Sequence, residues 1–219
     1  MSLAFADRVD AGRQLAAALR PLAGEDAVVL GLPRGGVPVA AEVASGLGAP
    51  LDVIVVRKLG LPIQPEVAMG AIGEDGARLI DGDLIGRLGV TPEEVAQVEA
   101  EERATLESRI AGFRARFPRL DLTGKVALVV DDGIATGATA SVACVIARLH
   151  GARRVVMAAP VGSPDAVERV RGADQVVCLL TPRDFAAVGT YYRDFGQTSD
   201  SEVLGLLARH RSGLRAPTG

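Results

Sequence analysis

Five apolar residues, Val126 to Val130, run without a break into two adjacent aspartates, Asp131 and Asp132. The stretch Gly133-Ile134-Ala135-Thr136-Gly137-Ala138-Thr139, mostly small residues, follows at once. An apolar run without alternation is a strand buried on both faces, as in the middle of a parallel sheet covered by helices. Ala138 to Leu149 then carries apolar residues at helical spacing and is closed by His150-Gly151. The acids and small residues therefore occupy a strand-to-helix turn at the carboxyl end of a strand. That is where open α/β sheets bind ligands.

The same alternation recurs along the chain. Asp7 to Leu22 reads as an amphipathic helix capped by Asp7. Ala27 to Leu32 reads as a strand, followed by the turn Pro33-Arg34-Gly35-Gly36 and a helix from Val37 to Leu47. Leu51 to Arg57, Arg154 to Ala159 and Gln175 to Leu180 read as further strands. The pattern predicts an α/β fold with a mostly parallel, doubly wound sheet of about five strands and right-handed crossovers.

Two regions interrupt it. An insertion over about residues 60–120 contains a hairpin, AMGAIGEDGARLID, turning at Glu74-Asp75-Gly76. A charged helix from Pro92 to Phe117 follows, with Thr91 as its cap. Residues 181–200 hold both tyrosines and two of the five phenylalanines of an aromatic-poor chain, and read as a small hood. No tandem repeat or low-complexity linker divides the chain, so residues 1–219 are expected to form one domain. The insertion serves equally as a lid or as the surface of a homodimer.

Composition excludes several classes. With 219 residues the chain is long enough for a substantial core, and its 48% apolar and 23% charged content is that of an ordinary globular protein. A net charge of −3 argues against a nucleic-acid partner. Cys144 and Cys178 are too few for a disulfide framework or a zinc site. The segment MSLAFADRVDAG lacks a long apolar core and no run approaches a membrane span, so a cytoplasmic protein without a membrane partner is expected.

The amides of Ile134 to Gly137, at the start of a helix, suit a phosphate, and Thr136 and Thr139 add hydroxyl donors. Each hydrogen bond to an ionised oxygen contributes about 1.5–3 kcal/mol where water is excluded. Two carboxylates would repel a lone phosphate. They fit a ligand that also carries hydroxyls or a cation, and a ribose 5-phosphate has that layout. The spacing excludes a nucleotide P-loop, the dinucleotide glycine pattern is absent, and His150 and His210 offer little to a Ser-His-Asp hydrolase. The plain alternative is that the acids cap the next helix.

The stretch resembles the phosphoribosyl pyrophosphate signature of the type I phosphoribosyltransferases. That resemblance implies that Asp131 and Asp132 hold the ribose hydroxyls and take part in catalysis, and that residues 133–139 wrap the 5-phosphate. GLPRGGVPVA, Gly31 to Ala40, is similar to the family's pyrophosphate loop, with Arg34, Gly35 and Gly36 on the leaving group; relatives often have a cis non-proline peptide there. VVRKLG resembles the pair that would place Arg57 and Lys58 on the pyrophosphate, and these too are candidate catalytic residues. Together with VGTYYRDF, the organisation resembles a bacterial group of uncharacterised phosphoribosyltransferases.

Mg²⁺ is the implied cofactor, held through the substrate and by Asp131 and Asp132. The implied partners are phosphoribosyl pyrophosphate and a nucleobase or similar nitrogen acceptor, under a hood in which Phe185, Tyr191 or Tyr192 stacks and Asp194 meets the base or the metal. Hypoxanthine–guanine relatives carry a general-base aspartate where this chain has Ala135, which disfavours 6-oxopurines but not adenine. A sensor of phosphoribosyl pyrophosphate that does not consume it is the alternative. Arg57-Lys58 and the PRGG turn, both suited to a leaving group, favour the enzyme.

Overall fold

The computed structural model describes residues 4–213. A parallel sheet is formed by β1 (Ala27–Gly31), β2 (Leu51–Val53), β6 (Val126–Val130), β7 (Arg154–Val161) and β8 (Gln175–Leu180), in the order β2-β1-β6-β7-β8. β1 and β6 are buried at every position, as their unbroken apolar sequences require. Ala27 and Val29 face a layer made by α1 (Arg8–Ala18), α2 (Gly36–Leu47) and α7 (Asp200–Gly213). Val28 and Leu30 face α5 (Ala138–Leu149) on the other side. The sheet is therefore doubly wound. No helix among the described residues is long and apolar enough to cross a membrane.

Several expected boundaries move for physical reasons. Asp7 caps α1 by accepting from the Asp10 amide at 2.8 Å, but the helix stops at Ala18 and Arg20–Leu22 forms a separate 3₁₀ turn. Pro21 has no amide to continue the helical ladder. The strand expected from Leu51 to Arg57 is two strands. β2 runs beside β1 only as far as Val53, opposite Gly31, where β1 ends. Deprived of that neighbour, the chain turns away and starts β3 (Val56–Leu61) in a second sheet.

This antiparallel sheet joins β3 to β4 (Gln64–Gly73) and β5 (Arg78–Ile80), with the hairpin turning at Glu74–Gly76. The short helix α3 (Gly82–Leu88), capped by Asp81, precedes the 23-residue α4 (Pro92–Arg114). In α4, Thr91 and Glu94 satisfy one another's backbone amides. The insertion is built into the core. Leu59, Met69 and Ile72 join Leu106 and Phe113 of α4, while Val56 and Ala71 join Val142 and Ile146 of α5. The remaining helix, α6 (Pro164–Glu168), follows β7.

A buried ion network fixes the insertion to the parallel sheet. Asp52 and Glu74 are 0% and 1% exposed, so both carboxylates depend on protein partners. Arg114 reaches Asp52 Oδ1 at 2.9 Å, Glu74 Oε1 at 3.0 Å and the Val53 carbonyl at 2.7 Å. Arg119 approaches Glu74 at 2.8 Å and Arg211 approaches Asp52 at 3.0 Å. Removing one member of such a network leaves charge uncompensated in the interior. Arg114→Met is expected to cost about 3–5 kcal/mol, read as a lower urea midpoint with an unchanged slope. A loss below about 1 kcal/mol would mean that Arg119 and Arg211 suffice.

Candidate active site

β1 and β6 pair in register to their last residues, Gly31 opposite Val130, and the Leu32 amide donates to the Val130 carbonyl at 2.9 Å. The two turns that follow these strands therefore lie against each other. A Cβ on Gly35 would lie 2.0 Å from Asp132 Oδ2, and one on Gly36 would lie 2.8 Å from Asp131 Cα. Only glycine permits this approach. The Pro33–Arg34 peptide in the same turn is cis.

The acidic pair has an unexpected third member. Arg8, the first residue of α1, places Nε and Nη2 each 2.8 Å from Asp132 Oδ2. Its Nη1 donates to the Gly196 carbonyl at 2.7 Å, and its guanidinium lies 3.8 Å above the Phe195 ring. Burial, followed by the neighbouring Asp132 charge, pushes the Asp131 carboxyl well above its usual range. Burial also raises Asp132, against the opposing charge and hydrogen bond of Arg8. Nothing in the sequence near Asp132 marks Arg8, since 124 positions separate the two. Its place in the first turn of an amphipathic helix offered no chemical signal.

The turn from Gly133 to Thr139 is anchored at one end and open at the other. Ile134 forms a bridge to β7, its amide donating to Val161 and its carbonyl accepting from Ser163, both at 2.9 Å. The Ile134 amide is thus committed within the protein, a correction to its expected phosphate contact. Among the described residues, the amides of Ala135, Thr136 and Gly137 have no protein acceptor. Gly137 has φ +81° and stands where a Cβ would lie 2.8 Å from the Ala166 carbonyl. Ser141 ties the helix start down, donating to the Gly137 carbonyl at 2.7 Å and accepting from the Arg171 amide at 3.0 Å. Ala138 and Thr139 lie half-buried in the first turn of α5. A cavity of about 570 Å³ borders Ala135 to Ala138, with β4, β5, α3 and α6 among its other walls.

The cations are arranged differently from expectation. Arg57 and Lys58 are neighbours on β3 and so face opposite sides of it. Arg57 points with Leu59 towards α4, where its Nε donates to Glu102 at 2.7 Å. Lys58 lies on the other face and donates to the Glu66 carbonyl at 3.1 Å. The structure does not present them as a pair. Arg109, also on α4, has its pKa lowered by burial first and then by the Arg57 charge, with Asp200 opposing and Arg34 contributing less. Arg109 lies in the helix read only as the charged part of a lid or dimer surface. Its signal is the seven-residue spacing from Glu102, which puts both on one face of α4.

The hood aromatics are mostly core. Tyr192 is 3% exposed, packed between Phe5 and Phe195 at ring distances of 5.3 and 5.0 Å, and its hydroxyl donates to the Asp132 carbonyl at 2.6 Å. Tyr191 is 9% exposed and stacks on Phe185. Neither tyrosine offers an open face to a base: Phe5 and Phe195 flank Tyr192, and Phe185 stacks on Tyr191. Asp194 is exposed and accepts from the Gly196 amide at 3.1 Å, closing a turn instead of facing the acids. Phe195, 37% exposed, is the open aromatic of the segment. Val188 reaches the acidic turn, at 2.5 Å from a Cβ built on Gly133.

The raised Asp131 has a consequence for stability. A carboxyl whose folded pKa exceeds its unfolded value, near 3.9, favours the fold below that value. It loses this contribution as pH rises through the folded value. Asp131→Asn is therefore expected to be more stable than the parent at neutral pH, with the gain shrinking as pH falls towards about 4. Urea unfolding across that range measures it. A gain independent of pH would contradict the assignment.

The phosphoribosyl transferase domain family matches residues 5–194. Two strains of Mycobacterium tuberculosis carry a curated protein named "Putative phosphoribosyl transferase", 56% identical over 209 residues; the match covers 94% of this chain but 47% of the relative. The chain thus spans about half the length of those relatives. The crystal structure of TT1426 from Thermus thermophilus superposes with a TM-score of 0.79 at 45% identity, covering 94% of this chain and 98% of that one. With the family match spanning the two facing turns, the acidic pair and the hood as far as Asp194, the chain belongs to the phosphoribosyl transferase domain family.

Proposed function

We propose that the chain transfers ribose 5-phosphate from phosphoribosyl pyrophosphate to a nitrogen acceptor of the nucleobase type, releasing pyrophosphate. The observation that carries this reading is the contact between the PRGG turn and the acidic turn, beside three unpaired amides at the start of α5. Those amides, with Thr136 and Thr139, suit the 5-phosphate. Asp131 and Asp132 accept the ribose hydroxyls. Arg34, in the PRGG turn, serves the pyrophosphate end, with Arg57 as a further cation.

In transfer, the C1–O bond to pyrophosphate breaks as the acceptor nitrogen closes on C1. Negative charge gathers on the leaving group, where the arginines stabilise it, and positive charge on the sugar, where the acidic pair does. Asp131 and Asp132 are hard oxygen donors, and no group of three or more metal-binding side chains occurs among the described residues. This fits Mg²⁺ held by one or two carboxylates and mainly by substrate oxygens. When bound, the ion neutralises pyrophosphate charge. Ala135 offers no base to a purine ring, so proton removal from the acceptor falls to another group or to water.

Phosphoribosyl pyrophosphate with Mg²⁺, at 100 times its dissociation constant, is expected to stabilise the fold by about 2.7 kcal/mol. A melting temperature unmoved by millimolar ligand would overturn the reading. Pyrophosphate release, assayed with purine, pyrimidine and pyridine acceptors, is expected to be poor with hypoxanthine and guanine. Efficient turnover of either, with the others inert, would contradict the role given to Ala135. Ligand binding without pyrophosphate release from any acceptor would instead identify a sensor.

A further inference from the structure

Arg8 touches three walls of the site at once. It holds Asp132 Oδ2 through two nitrogens, donates to Gly196 of the hood, and lies 3.2 Å from a Cβ built on Gly35 in the PRGG turn. Phe195 covers its flat face. The backbone before it is fastened to the hood as well. The Phe5 amide donates to Tyr191, and the Arg193 and Asp194 amides donate to Phe5 and Ala6, at 2.9–3.0 Å. A side chain needed only to pair with Asp132 would not require these attachments.

On the functional reading above, we propose that Arg8 is a positioning residue that fixes the Asp132 carboxylate for the ribose hydroxyls and ties it to the hood segment Phe195–Gly196. Arg8 occupies Oδ2, so a ligand hydroxyl would meet a carboxylate already fixed at that oxygen. The guanidinium also keeps the two acids from being equivalent. The charged and titratable groups facing Asp132 are Asp131 on its own turn, Arg8 from α1 and Tyr192 from the hood. The planar fork matters as much as the charge, since it alone meets the carboxylate, a carbonyl and a ring together.

The test is a titration of phosphoribosyl pyrophosphate with Mg²⁺ into wild type, Arg8→Gln, Arg8→Lys, Asp132→Asn and the double variant Arg8→Gln/Asp132→Asn. Arg8→Gln is expected to bind about tenfold more weakly than wild type, yet to add little to the loss in the Asp132→Asn background, because Arg8 acts through that carboxylate. Arg8→Lys keeps the cation but not the fork, so it is expected to recover only part of the affinity, and it serves if Arg8→Gln does not fold. Equal affinity in wild type and Arg8→Gln would overturn the role of Arg8 alone, as would losses that simply add in the double variant. Wild-type protein that binds no ligand would overturn the functional reading, and the role of Arg8 with it.

Discussion

The hydrogen-bonded pairing of β1 with β6 sets the position of everything else in the site. It runs in register from Ala27 opposite Val126 to Gly31 opposite Val130. Two strands that end side by side deliver their following turns to one place, and here those turns are PRGG and the acidic segment. A slip of one residue would carry the apolar set of either strand to the wrong helical layer. The register is therefore held by burial on both faces. Gly35 and Gly36 follow from it, because any Cβ at those positions meets Asp132 or Asp131.

The charges are then divided by the same geometry. The aspartates are gathered beside the start of α5, with Arg8 as their counter-charge from α1. Arg57 and Arg109 come from β3 and α4 of the insertion, and Arg34 from the PRGG turn.

The insertion matters for this reason as well as for covering apolar surface. β3 and α4 bring Arg57 and Arg109, and their position relative to the parallel sheet depends on Arg114 between Asp52 and Glu74. Such a network gives a defined orientation at a cost in desolvation. A looser apolar contact would leave the cations less well placed. The architecture of the insertion and the electrostatics of the site are thus one problem.

Much of the fold could be read from local pattern. The run Val126–Val130, the turn after it and the helix Ala138–Leu149 appear as expected because burial on both faces and helical spacing write themselves into adjacent residues. The Glu74–Gly76 turn and the Thr91 cap were legible for similar reasons, being short-range backbone chemistry. Contacts between distant segments were not legible. Whether Leu51 to Arg57 stays in one strand depended on where β1 ends, and whether Tyr192 faces a ligand depended on Phe5. The partner of Asp132 came from the far end of the chain. By itself the sequence determined the strand-to-helix turns and the residue types they present, since those depend on neighbours a few positions apart. Only the tertiary structure decided which charges meet, because pairing across a buried site is fixed by packing between elements and leaves no local periodicity behind.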